Sequence, residues 1–165
     1  MSLPADESIE LYRELIADHA KKPRNFREMA DGDLRAEGHN KACGDKLTVW
    51  VKVVDGVLAD VSFVGSGCSI STSSASMMTE AMKGKTIGEA RLLFEEFHGM
   101  LTGASDRAID VESVGKLAAF TGVKRFPIRV KCATLPWHTW RAAMENVATP
   151  VSTEEKVQFP GRAVY

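Results

Sequence analysis

Hydrophobic side chains recur every three to four positions in the first part of the chain, which is the spacing of one helix face. The pattern predicts a helix from about Asp6 to Lys21. Acidic residues at its start, and Lys22 followed by Pro23 at its end, are common boundary signals. The residues expected on the inner face are Ile9, Tyr12, Leu15, Ile16 and His19.

Apolar and polar positions then alternate, which is the pattern of strands with one buried face. Residues 47–53 and 57–64 are predicted to pair as a hairpin through the turn sequence Asp55-Gly56. A third strand near residues 34–42 is expected beside them, because an isolated hairpin is only marginally stable.

Helical spacing returns after the glycine at position 67. After Cys68, residues 69–83 predict one helix, with methionines on its inner face and Gly84 as its stop. The sequence Thr86-Ile-Gly-Glu89 is a capping box and predicts a second helix to about His98.

The remaining segments carry weaker signals. A loop is expected over residues 99–110, a short helix over 111–120 and a final helix over about 135–147, with Pro136 in its first turn. From residue 149 the sequence has no period, so a flexible tail is expected there.

This order of elements predicts an α+β fold, in which a small three-stranded antiparallel sheet is packed on one face by about five helices. The length of 165 residues is typical of one domain, which we assign to residues 1–148, with the flexible tail over 149–165.

Composition excludes several classes of function. A net charge of −1 gives no electrostatic reason to expect nucleic-acid binding. No apolar run is long enough to span a membrane, and the acidic N-terminus lacks the core of a signal peptide. We therefore expect a cytoplasmic protein, in which the three cysteines remain thiols.

The candidate chemistry is centred on Cys43-Gly44-Asp45. In an extended backbone the first and third of these side chains point to the same side, and the glycine permits a sharp bend. Together with Cys68 and Cys132 they could form a site of three thiolates and one carboxylate, a donor set that zinc accepts.

Spacing alone leaves other interpretations open. The cysteines lack a CxxC pair, so Cys68 could be a small core residue and Cys43 a chance surface thiol. A catalytic pair of Cys43 or Cys132 with His39 or His138 is also possible, because such pairing is set in space rather than in sequence.

A run of basic residues precedes the third cysteine, with no acidic residue from 123 to 131. Arg129 and Lys131 could steady an anion formed at the site. The alternative is that they form the solvated face of a strand, since they alternate with Ile128 and Val130.

Three sequence blocks carry a family resemblance. They read Asn-x-x-Cys-Gly-Asp at 40–45, Gly-Cys-Ser-Ile-Ser-x-Ser-Ser-Ala-Ser-Met-Met at 67–78, and Lys-Cys-Ala-Thr-Leu-x-Trp at 131–137. From about Ser8 to Val147 the chain resembles the IscU/NifU-like family of iron–sulfur cluster assembly proteins. Within that family it is more similar to the SufU group of zinc-dependent sulfurtransferases than to the IscU scaffolds. Two features favour this: Lys131 stands where IscU proteins carry histidine, and a segment around 99–120 is inserted.

The resemblance implies a SufE/NifU-like fold and one Zn²⁺ per chain, bound by Cys43, Asp45, Cys68 and Cys132. It implies that Cys43 accepts persulfide sulfur from a PLP-dependent, SufS-like cysteine desulfurase and passes it to SufBCD-like assembly proteins. Whether the chain is itself an enzyme is left open; a sulfurtransferase is favoured.

Two other functions stay open beside this one. The chain could be an IscU-type scaffold that builds an Fe–S cluster on its three cysteines. It could also be a purely structural zinc domain, although its length makes metal unnecessary for a core.

Overall fold

The computed structural model describes residues 5–103, 114–147, 149–153, 157–159 and 162–164. Helix α1 spans Ala5–Lys21, as the hydrophobic spacing predicted. It packs on the second helix. Its buried His19 is hydrogen-bonded through Nδ1 to Ser76 Oγ at 2.7 Å.

The main sheet has four strands in the order β3-β2-β1-β4. They span Leu34–Asn40 (β1), Asp45–Val54 (β2), Val57–Ser66 (β3) and Val151–Ser152 (β4). The first three are antiparallel, whereas β4 runs parallel to β1. The prediction of a three-stranded, wholly antiparallel sheet was therefore wrong by one strand, because a two-residue strand is too short to show alternation.

Two hairpins connect the antiparallel strands. Asp55 and Gly56 both have positive φ, as the predicted β2–β3 turn requires. The β1–β2 hairpin closes on the register pair Asn40–Asp45, so residues 41–44 form a four-residue loop at one end of the sheet.

Helices α2 and α3 follow the sheet and span Ser69–Met82 and Ile87–Thr102. The capping box of Thr86 and Glu89 is present at the start of α3, as predicted. The predicted end at His98 was too early. Burial of Met100 and Leu101 extends the helix by a turn beyond it.

A 3-10 helix spans Gly115–Arg125 and overlaps the short helix predicted over 111–120. Residues 104–113, which include much of the predicted loop and the start of that short helix, lie outside the described residues.

The last helix, α4, spans Pro127–Met144, so the predicted start at residue 135 was wrong. Pro127 occupies the first turn, and Pro136 lies inside the helix instead of at its start. The alternation of apolar and basic residues over 128–131 resembled a strand, but here it belongs to the exposed first turns of a helix. Cys132 consequently lies within α4 and not in front of it.

The core lies where α2 and α4 pack on the sheet, with α4 against β1 and β2 and α2 against β3. Trp137 and Trp140 are both 1% exposed and belong to this core, as predicted. Two short strands, Val157–Phe159 (β5) and Arg162–Val164 (β6), pair with each other near the C-terminus. The division into a domain over 1–148 and a flexible tail stays a prediction.

No helix in the part of the chain that the structure describes is both long and apolar enough to cross a membrane.

Candidate metal centre

Cys43 lies on the β1–β2 loop, at the end of the sheet. The Gly44 N–H donates to the Lys41 carbonyl at 3.2 Å, and Gly44 has a φ of 71°, which a residue without a side chain adopts at little cost. Its neighbours in the loop are exposed, and the Cys43 thiol is half-buried. A partner molecule can therefore approach this thiol from the loop side.

Asp45 is the first residue of β2 and is only 2% exposed. Its Oδ1 accepts a hydrogen bond of 2.8 Å from the backbone N–H of Cys68. A Cβ atom at Gly67 would lie 2.5 Å from the same oxygen, so the carboxylate fits only because position 67 has no side chain. The bend between β3 and α2 is thus shaped around Asp45.

Cys68 is the N-cap of α2. Its Sγ accepts from the Ser71 N–H at 3.5 Å and lies 3.9 Å from Asp45 Oδ2. A hydrogen bond from the Cys132 thiol, aided by the Ser71 amide, lowers the pKa of Cys68 to about 7. The same pairing with Cys68, together with burial, raises the pKa of Cys132. Without a metal ion, Cys132 therefore keeps its proton and Cys68 is the more acidic thiol.

Cys132 is 1% exposed, and Asn40 Nδ2 donates to its Sγ at 3.7 Å. The surrounding helices are held in place by Ser74, whose Oγ donates to the Ala133 carbonyl at 2.6 Å and accepts from Trp137 Nε1 at 3.0 Å. The serine-rich start of α2 is a poor helix former in isolation. Here its small, polar side chains let α2 and α4 approach closely beside the two cysteines.

The β1–β2 loop, β2 and α4 bring three metal-capable side chains together in one group. Cys43 Sγ, an Asp45 carboxylate oxygen and Cys132 Sγ all lie within 4.8 Å of one another. Cys68 borders this group through its contacts with Asp45 and Cys132. Zn–ligand bonds of 2.0–2.3 Å place tetrahedral donors about 3.3–3.8 Å apart, so a contraction of about 1 Å would suffice. Three thiols and one carboxylate are a donor set that zinc accepts.

Arg129 and Lys131 do not belong to this group. Both are exposed on the first turns of α4, and the Arg129 guanidinium lies 5.9 Å from the centre of the Phe126 ring. The strand-face interpretation of these two residues was wrong, because they are on a helix. Arg129 precedes Cys132 by three residues and so shares its side of α4. Neither cation forms an ion pair with another described residue.

Neither histidine considered as a catalytic partner belongs to this group of described residues. His39 is half-buried on β1, opposite Lys46 in register. His138 is fully buried, with its ring centre 5.5 Å from that of Phe94 and 5.4 Å from that of His98. The structure thus groups the thiols with Asp45 rather than with an imidazole.

Sequence reasoning overlooked three residues that shape the site, namely Asn40, Gly67 and Ser74. All three lie in the cysteine-containing sequence blocks, but only their contacts across elements reveal what they do. Ser74 contacts Ala133 across 59 positions in sequence, and no local pattern reports such a contact.

The fold and the site together define a small α+β protein that gathers three thiols and a carboxylate at one end of its sheet. The chain belongs to the family of the NifU-like N-terminal domain, whose profile matches residues 11–133. The resemblance to IscU/NifU-like iron–sulfur cluster assembly proteins is thereby confirmed.

Individual relatives agree with this assignment. The chain is 42% identical over 139 residues to the zinc-dependent sulfurtransferase SufU of Bacillus subtilis, an alignment that covers 84% of this chain and 90% of the relative. It is 37% identical over 138 residues to the iron–sulfur cluster assembly scaffold protein IscU of Streptococcus pyogenes, covering 84% and 85%.

The fold is also similar to a crystal structure from Fervidobacterium islandicum, described as a SUF-system iron–sulfur cluster assembly scaffold protein. The TM-score is 0.74 at 34% identity, and the match covers 79% of this chain and 94% of the other. The fold class predicted from the sequence is confirmed, apart from the additional strand.

Proposed function

We propose that the chain is a zinc-dependent sulfurtransferase of iron–sulfur cluster assembly that accepts persulfide sulfur on Cys43. The observation that carries the proposal is the asymmetry of the site. One thiol of the group lies on an exposed loop, and another is 1% exposed inside a helix. The similarity to a relative named as a zinc-dependent sulfurtransferase supports the same function.

The metal we propose is one Zn²⁺ per chain, with Cys43, Asp45, Cys68 and Cys132 as its ligands. The support is the donor set and its proximity. When bound, zinc would keep its cysteine ligands deprotonated near neutral pH, and Cys43 would act as a nucleophile only after the partner displaces it from the metal. Asp45 Oδ1 accepts the Cys68 amide hydrogen bond, so Oδ2 is the oxygen that would be available to coordinate zinc.

The sulfur-transfer step requires no added oxidant. The Cys43 thiolate attacks the terminal sulfur of a persulfide on the donor's cysteine. A new S–S bond forms on Cys43, the S–S bond in the donor breaks, and the donor's cysteine leaves as a thiolate. The half-buried loop position of Cys43 allows this approach, and the burial of Cys132 prevents it there.

The donor we propose is a PLP-dependent, SufS-like cysteine desulfurase acting in the cytoplasm, and the recipients are SufBCD-like assembly proteins. A basic and apolar ridge, which runs from the end of the 3-10 helix into the first turns of α4, supports docking of an acidic partner surface. The ridge is defined by exposed side chains that precede Cys132, namely Lys124, Arg125, Phe126, Ile128, Arg129 and Lys131. We further propose that Arg129 and Lys131 stabilise the anionic persulfide product; the support is that Arg129 shares the Cys132 side of α4 and that guanidinium groups bind anions well.

A scaffold function is the second candidate. It is favoured by the 37% identity to an IscU scaffold protein and by the presence of three thiols, which are the usual ligands of iron–sulfur clusters. In that case all three cysteines would hold iron, and none would be reserved for sulfur transfer.

One experiment separates the two functions. The purified chain is incubated with a cysteine desulfurase and L-cysteine, alkylated, and mapped by peptide mass spectrometry. We expect one added sulfur on Cys43 and none on Cys68 or Cys132, with stimulation of desulfurase turnover that Cys43→Ala abolishes. Sulfur found mainly on Cys68 or Cys132, or full stimulation by Cys43→Ala, would contradict the sulfurtransferase proposal. A coloured iron-containing protein purified without added metal would favour the scaffold.

A further inference from the structure

The last residue of β1, Asn40, is a buried amide at the edge of the thiol group. It is 0% exposed and lies directly opposite Asp45 in the β1–β2 register. Its Nδ2 donates to Cys132 Sγ at 3.7 Å, across 92 positions in sequence. We infer that Asn40 is a positioning residue that fixes Cys132 as the permanent metal ligand, so that Cys43 remains the exchangeable one. This inference rests on the proposed function.

The other end of the same amide indicates that the contact serves the site rather than the fold. Among the residues that the structure describes, Asn40 Oδ1 has no hydrogen-bond partner. Burying an unpaired amide oxygen costs free energy, and an apolar residue of similar shape would avoid that cost. The remaining benefit of asparagine at this position is the hydrogen bond that it donates to sulfur.

The direction of that hydrogen bond matches the chemistry of a metal-bound thiolate. Such a sulfur accepts hydrogen bonds and donates none, so the nitrogen end of the amide must face it. Donation draws negative charge from the Cys132 sulfur and fixes its side-chain orientation. The exposed loop that holds Cys43 offers less constraint, since three of its four residues are exposed. The two thiols are thereby made unequal before any partner binds.

The test compares zinc-loaded, full-length variants. Asn40→Leu removes the donor and also removes the unpaired oxygen, whereas Asn40→Asp keeps the shape but presents oxygen and charge to the sulfur. Zinc affinity should fall about 10- to 100-fold in both variants, the usual effect of removing an outer partner of a ligand, and loss of zinc to a chromogenic chelator should be faster than in the parent protein. Iodoacetamide should modify Cys43 first in the parent protein and should reach Cys132 as well in the variants.

A thermal melt of the metal-free protein distinguishes positioning from a structural role. Metal-free Asn40→Leu should melt at or above the temperature of the metal-free parent, because it no longer buries an unpaired oxygen. If Asn40→Leu does not fold, the near-isosteric Asn40→Asp carries the test alone. The control is Asn25→Asp, which makes the same chemical change in an amide that donates to Thr79 Oγ1 at 3.0 Å, away from the thiols. It should lose zinc at the parental rate.

Parental rates of zinc loss in both Asn40 variants, with Cys132 still protected from iodoacetamide, would overturn the role of Asn40 and leave the proposed function intact. A faster loss in Asn25→Asp equal to that in the Asn40 variants would also overturn it, as a general loosening of the fold. A parent protein that binds no zinc would instead contradict the proposed function itself, and this inference with it.

Discussion

The hairpin loop that carries Cys43 and the helix that carries Cys132 present the same side chain in opposite surroundings. The loop is exposed, bends at a glycine with positive φ and leaves its thiol half-buried. The helix is packed against the sheet. Its thiol is 1% exposed and accepts a hydrogen bond from Asn40 Nδ2. The two thiols of one group therefore differ in access, since Cys43 can be reached from the loop side and Cys132 is enclosed.

The largest expected effect separates the two regions directly. Cys132→Ala should abolish tight zinc binding, because it removes a buried ligand of the proposed site. Even with zinc present, the variant should therefore melt at the lower temperature of the metal-free form. Cys43→Ala should abolish sulfur acceptance while keeping the fold. Elemental analysis, thermal melts and peptide-mapped persulfide measure these results. Full zinc occupancy in Cys132→Ala would remove that residue from the metal site.

The next effect concerns the close contact between Asp45, at the start of β2, and Gly67, just before α2. Gly67→Ala places a Cβ 2.5 Å from Asp45 Oδ1 and should displace the carboxylate. We expect zinc loss to a chelator to be faster by about 10-fold or more, as for other supporting residues of metal ligands. Asp45→Ala should give a similarly labile site. Gly88→Ala is the control, since a Cβ there meets nothing within 4 Å. A normal metal-release rate in Gly67→Ala would contradict this account.

A smaller effect is expected in the pH dependence of the metal-free protein. The folded-state pKa of Cys68 is lowered to about 7 from an ordinary value of 9.0. The unfolded chain therefore binds more protons between these two values, so the free energy of unfolding should rise from about pH 7 to about pH 9, by about 1 kcal/mol after allowance for solvent screening. Above pH 9 it should fall, because the raised pKa of Cys132 keeps that thiol protonated only in the folded state.

Urea unfolding of metal-free protein across this range measures the effect. Cys68→Ala should lose the rise between pH 7 and 9. An identical rise in that variant would assign the pH dependence to other groups.

The smallest effect is expected at the basic ridge. Arg129→Gln and Lys131→Gln should each reduce the association rate with an acidic desulfurase surface a few-fold, with a weaker salt dependence, and should leave zinc content unchanged. Stopped-flow binding at two ionic strengths measures this. Lys116→Gln, an exposed lysine on the 3-10 helix outside the ridge, is the matched control. An equal decrease in the association rate of the control variant would show that net charge, and not the position of the ridge, determines that rate.

Local signals in the sequence were sufficient where structure depends on neighbours along the chain. The spacing of α1, the capping box of α3 and the Asp55-Gly56 turn were each predicted and are present. They were insufficient for α4, whose first turns are exposed and so alternate like a strand, and for β4, whose two residues gain stability only by pairing with β1.

The sequence by itself determined which residue types are available for chemistry: three thiols, one carboxylate beside the first of them, and the order of elements that carries them. Only the tertiary structure decided how the thiols differ in burial and in hydrogen bonding. Burial of Cys132, the space at Gly67 and the donation from Asn40 each depend on atoms brought together from distant positions. The physical reason is that exposure, close approach and hydrogen bonding to a thiol are properties of packed surfaces, and a linear pattern records only which side of its own element a residue faces.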